Sequence, residues 1–208
     1  NTRTYQMGAD FDSAAYSQDP DNTLLWRRSP ERLDAESLRD AMLTASGNLE
    51  TKRPLGSIIG EIGDAAIAQR GGSDVVNRAV DYRSVYLPVV RDGMPEALDL
   101  FDAADPNRVS GARDETNVPG QSLYLMNNPF VLAQSRALAN RLLETGKDSR
   151  SQISKAFLSC FSRVPTAEEL AASQKFLMSF ADREDPEEFA LTAFCQSLLA
   201  SAEFRYLN

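Results

Sequence analysis

From residue 129 onward, apolar positions recur three and four apart, in runs bracketed by residues that open and close helices. Asn128-Pro129 predicts a helix reaching Thr145, with Val131, Leu138 and Leu142 on one face and Gly146 as its stop. Ile153, Phe157, Cys160 and Phe161 make the next stripe. Thr166 with Glu169 forms a capping box ahead of Leu170, Leu177 and Phe180. Asp185-Pro186 with Glu188 repeats the device ahead of Leu191, Phe194, Cys195 and Leu198. Four helices on short links predict an antiparallel bundle, with Phe176, Phe180, Phe189, Phe194 and Phe204 in its core.

Before residue 129 the pattern is looser. Residues 1–28 hold no period and read as an arm laid over the body, with Tyr5, Phe11, Tyr16 and Trp26 as pegs. Ser29-Pro30 predicts a helix whose inner face is Leu38, Ala41, Met42 and Ala45 and which Gly47 ends. Its outer face carries Arg32, Glu36, Arg39 and Asp40. Ile58, Ile59, Ile62 and Ala66 suggest a short amphipathic helix, and residues 69–74 a loop. Tyr82 to Val90 is β-branched and aromatic, an extended strap that Pro88 keeps out of a sheet interior. Pro95 begins a short helix through Phe101.

Between these parts lies a polar stretch, Arg113 to Phe130, read as the hub against which the flanking helices pack. Val118-Pro119-Gly120 within it reads as a turn. The expected fold is mainly α: a C-terminal antiparallel helical bundle with an irregular N-terminal half holding at most a short extended strap. Residues 1–208 are expected to be a single domain, with an arm (1–28), a mixed helix and loop region (29–128) and the bundle (129–208).

Composition narrows the chemistry. A net charge of −8 repels nucleic-acid phosphates and anionic membrane surfaces alike. The chain contains no histidine, which removes His-based acid–base catalysis, Ser-His-Asp and Cys-His nucleophiles, and His-ligated metal or haem. Cys160 and Cys195 make no Cys-x-x-Cys, so neither a thiolate metal site nor covalent haem attachment has its ligands, and no metal is expected. The two thiols read either as small buried apolar groups or as a bridge between their helices in an oxidising compartment. No apolar run is long enough to span a bilayer, and a chain opening on Asn1 reads as a piece of something longer.

Two groups of residues are candidates for chemistry. Glu36 and Asp40, one helical turn apart, are a conceivable carboxylate pair, with Arg113 as third member. The plainer arrangement is a ladder of structural ion pairs with Arg32 and Arg39, or ties from helix to hub. Arg113, Asp114, Thr116, Gln121 and Asn127 form a candidate ligand site for a sugar or an anion. Against that stands backbone support, with Arg113 and Gln121 satisfying carbonyls of the long loop and Asn127 or Asn128 capping the next helix. Trp26 reads as an anchor before it reads as a sugar platform. Arg205 and Tyr206 close the bundle or face a partner.

The motifs resemble one family as an ordered set. Arg32-Leu33-Asp34-Ala35-Glu36-Ser37-Leu38-Arg39-Asp40-Ala41 resembles its "RL-x-AE-x-(I/L)-RDA" helix, and Arg83-Ser84-Val85-Tyr86 its strap. Leu100-Phe101-Asp102, Asp105-Pro106 and the hub, with Arg113, Thr116-Asn117-Val118-Pro119 and Asn127, resemble its centre. Pro165-Thr166 with Glu169, and Leu198-Leu199 through Tyr206, resemble its closing motifs. The family is the planctomycete-associated C-terminal domain of unknown function 1553, found after a c-type cytochrome-like domain and a second uncharacterised domain. One departure is Ser162 before Arg163, where the family usually has Gly.

The resemblance implies an exported, periplasmic or cell-surface multidomain protein, with haem c only in an upstream domain and no cofactor in this chain. It implies the upstream domains of the same polypeptide as partners, and no activity. The expected function is a non-catalytic interaction or scaffold module. The alternative is a histidine-free hydrolase-like or lyase-like enzyme acting on polysaccharide through Glu36, Asp40 and Arg113.

Overall fold

The computed structural model describes residues 2–3, 6–56, 59–60, 76–90, 93–109, 111–144, 146, 148–182 and 185–207. The loop expected at 69–74 and most of the suggested amphipathic helix lie outside them. The rest is mainly α, with one sheet of two short strands among the described residues.

The arm contains a helix that the sequence pattern does not announce, α1 (Ser13–Gln18), capped by the Asp12 carboxylate. It buries none of its residues. Tyr5 lies outside the described residues, and the arm's other three aromatics meet each other: Phe11 lies 5.2 Å from Tyr16 and 6.2 Å from Trp26 between ring centroids. Arg27 stacks over Phe11 and Trp26. Asp19 organises the turn that follows, accepting from the Thr23 and Leu24 amides while its carbonyl accepts from Trp26 Nε1. Among the described residues, every hydrogen bond and ring contact shown for 6–29 stays within the arm.

Ser29-Pro30 opens no helix. Residues Glu31–Arg32 form β1, paired antiparallel with β2 (Tyr206–Leu207), and α2 (Ala35–Ser46) starts later with Asp34 as N-cap. The backbone of residues 31 and 32 is claimed by β2, so the better side-chain cap, five residues on from Ser29, sets the boundary. Gly47 ends α2 in the left-handed region, φ 82°, as its position predicts. The strap at 82–90 is extended at both ends but tightens to one 3-10 turn at Ser84–Tyr86.

α3 (Glu96–Leu100) has its first amide taken by Asn77 Oδ1 at 2.7 Å. α4 (Pro119–Asn127) occupies the place read as a turn: Pro119 supplies its first residue, and Tyr124 and Leu125 are buried. α5 (Pro129–Leu143) is capped by Asn128, as expected. α6 (Ser149–Phe161), α7 (Ala167–Met178) and α8 (Pro186–Leu199) follow, then α9 (Ala202–Arg205).

The capping box of Thr166 and Glu169 is formed in full. The second expected box is not. Asp185 sits at φ 50°, and its side chain makes no cap bond.

Two apolar clusters abut. One gathers Ala35, Leu38, Met42, Leu98, Phe101, Tyr124, Leu125 and Leu199; the other Leu138, Leu142, Ile153, Phe157, Leu191, Phe194 and Cys195. Cys160 and Phe161 pack against both. Of the five phenylalanines expected in the core, Phe194 and Phe204 are buried, while Phe176 and Phe189 remain exposed at the rim. They close a ring chain with Phe180 instead, at 5.1 and 5.4 Å. Phe176 lies on α7 and Phe189 in the first turn of α8, and both are left partly uncovered.

Candidate functional site

The hub stretch is exposed from Gly111 to Pro119, so it is not a buried centre. Its hold on the body comes from below. Arg32, leaving β1 with its side chain 7% exposed, donates to the carbonyl of Thr116 and to Asp102 Oδ2 at 2.7 Å. The Thr116 amide and hydroxyl both donate to the same carboxylate, at 2.9 Å each. Gln121, 1% exposed at the first turn of α4, donates to the carbonyls of Leu100 and Thr116. Burial alone raises the Asp102 pKa, and hydrogen bonds from Arg32 and Thr116 more than offset it, leaving the group below its ordinary value.

Arg113 joins the hub to α2 directly. Its Nη1 and Nη2 donate to the two Glu36 oxygens at 2.6 and 3.0 Å, a two-pronged pair. The hydrogen bond with Glu36 raises the Arg113 pKa. Arg32 is therefore not Glu36's partner, and the expected single-helix ladder does not form: an extended Arg32 lies before the helix and points at Asp102.

Asp40 faces elsewhere. It accepts from the Ser84 amide and hydroxyl, both at 2.7 Å, with Arg83 Nε at 3.5 Å and Arg39 Nη1 at 3.9 Å. Arg39 is 7% exposed and gives its donors to the carbonyls of Val80 and Tyr82 and to Ser84 Oγ. Its guanidinium also lies 5.1 Å from the Phe130 ring centroid. Burial lowers its pKa, opposed by the Asp40 charge. Glu36 and Asp40 thus share a helix but not a pocket, each held by a different segment.

Of the five ligand candidates, Arg113 and Asp114 line an open polar cleft of 710 Å³ with Asp99, Asp102, Asp105 and Arg108. Both also border a smaller recess of 240 Å³ under β1. Thr116 and Gln121 serve the Asp102 network. Asn127 points back, donating to the Leu123 carbonyl of its own helix. Asn128 does the capping, and its amide reaches Glu96 Oε2 at 3.0 Å.

Sequence reading weighed Gln121 as a support for loop carbonyls, which it is, and missed two anchors, Asp102 and Arg163. Arg163 lies between Glu169 and Glu203, at 2.6 and 2.7 Å, over the rings of Phe157 and Phe161. Asp102 stood in the quoted motifs, but nothing in a sequence says that a carboxylate at the end of one helix meets an arginine seventy residues earlier.

Cys195 is fully buried, Cys160 partly so, and both thiols are free. Burial pushes Cys160 up to about 12 and raises Cys195 as well. Among the described residues no group of three or more His, Cys, Asp or Glu could hold a metal ion, and no helix is long and apolar enough to cross a membrane.

A family model described as PSD1, a protein of unknown function (DUF1553), matches residues 1–177. The closing motif from Leu198 to Tyr206 lies beyond that match. No curated protein and no solved structure matches the chain.

Proposed function

We propose, because the chain belongs to the DUF1553 (PSD1) family of proteins of unknown function, that it is a non-catalytic interaction module docking against other domains of a longer polypeptide. The observation that carries this reading is that the candidate carboxylates and Asp102 are each held by another segment of the chain. Glu36 is engaged by Arg113 through both oxygens, Asp102 by Arg32 and Thr116, and Asp40 by Ser84 and Arg83. General acid–base catalysis needs a carboxylate free to exchange a proton in an open cleft. Glu36 and Asp40 line neither cleft around the hub.

α4 and its flanks present apolar side chains outward among polar ones. Leu123 and Met126 are 57% and 54% exposed, and Val118 and Leu132 stand at either side. A cluster of this kind suits a partner's cover. An exported, periplasmic or cell-surface address, a planctomycete setting and a haem c carried upstream belong to the same proposal, and the motif order supports them.

The test is to produce this chain and the upstream segment of its polypeptide as separate proteins and titrate one with the other calorimetrically. The expected result is association that Leu123→Asp with Met126→Asp abolishes while the far-UV melting curve is unchanged. Absence of association overturns the proposal. Polysaccharide cleavage lost in Glu36→Gln would put a hydrolase-like or lyase-like enzyme in its place.

A further inference from the structure

We propose that the groove between α5 and α6 binds a short aliphatic carboxylate. Leu138, Arg141 and Leu142 stand at helical spacing on α5, and Lys155, Leu158 and Ser159 repeat that spacing on α6. The two rows face each other across a recess of 170 Å³. Leu138 and Leu142, both buried, form its floor, and Leu158, 49% exposed, one wall. None of these residues belongs to the hub, so the inference is independent of the reading above.

The charge at this recess is the opposite of the molecule's. The chain carries −8 overall, and Arg32, Arg113, Arg136 and Arg163 each have a carboxylate partner. Arg141 and Lys155 have none among the described residues. Arg141 is also fixed in place. Its Nη1 donates to the Ala45 carbonyl at 2.8 Å, and the guanidinium lies so close to Gly47 that an added Cβ would meet it at 2.8 Å. A guanidinium held in advance loses less freedom when an anion arrives at the donors that the Ala45 carbonyl leaves open.

The shape asks for one anionic head and an apolar tail. The recess has the volume of about six molecules of liquid water, enough for a short acyl chain. A long polyanion would be turned away by the surrounding negative charge.

The experiment is a titration of the whole chain with sodium octanoate, followed by amide chemical shifts, beside parallel titrations with octanol and acetate. Octanoate should saturate at a roughly millimolar Kd, a plausible strength for so few atoms. Shift changes should centre on residues 138–142 and 155–159. Lys155→Gln should weaken binding about threefold, the size expected of one exposed charge. Leu158→Glu, at an exposed position and with helix propensity kept, should abolish it without moving the melting temperature. The proposal is overturned if octanol binds as tightly as octanoate, if Leu158→Glu binds normally, if the shifts centre elsewhere, or if octanoate does not bind.

Discussion

Ser162 shows how far one backbone angle reaches. It closes α6 in the left-handed region, φ 57°, where an L side chain costs about 1 kcal/mol and glycine nothing. The resembling motif places Gly there, and the structure supplies the reason. Ser162→Gly should stabilise the chain by about 0.5 kcal/mol once the extra freedom of the unfolded chain is subtracted, read as a higher urea midpoint at unchanged slope. Gly47→Ala should do the reverse, by more than 1 kcal/mol, since φ 82° resists a Cβ and Arg141 stands in its way. Asp102 is the third position where one group decides much. Asp102→Ala leaves Arg32 buried without its carboxylate and should cost about 3 kcal/mol. Faster hydrogen exchange at the Thr116 amide would locate the loss at the hub.

At the level of elements, α7 depends on its own cap. The Arg163 hydrogen bond and the Thr166 amide hold Glu169 down to about 2, below the ordinary carboxylate range. A carboxylate whose folded pKa is depressed contributes stability that is complete above its unfolded value, near 4.5, and lost as pH falls towards about 2. Urea midpoints measured between those limits should therefore drop more steeply for the wild type than for Glu169→Gln. Elements that signal locally were legible in the chain: the Thr166 box, the Asn128-Pro129 start and the Gly47 stop all form where the residues say. Elements fixed by remote partners were not. Ser29-Pro30 has good capping chemistry, yet β2 takes the neighbouring backbone into a strand pair. Pro119 looks like a turn until Gln121 and Tyr124 are seen reaching inward from a helix. Asn77 caps α3 from nineteen residues away, a distance that no local pattern encodes.

Across the whole molecule, α8 is the shared beam. Leu191, Phe194 and Cys195 belong to one apolar cluster and Leu199 to the other, while Cys160 and Phe161 touch both. Leu199→Ala should cost about 2–5 kcal/mol and shift far-UV and near-UV melting curves together, because neither cluster keeps its packing alone; two separated transitions would show that they fold apart. Sequence reading reached the inward face of this helix, since its apolar spacing is regular. It also reached the tie between α2 and the hub, which Arg113 makes with Glu36, but not the partner of Arg32, because Asp102 meets it across loops. The arm stands outside this scheme, and it holds the chain's single tryptophan, tied to Asp19 and stacked beside Arg27. Indole emission is consequently a private gauge of that arm. A fluorescence trace during heating will register the opening of residues 6–29 and can stay silent while the helices come apart, or change while they remain intact.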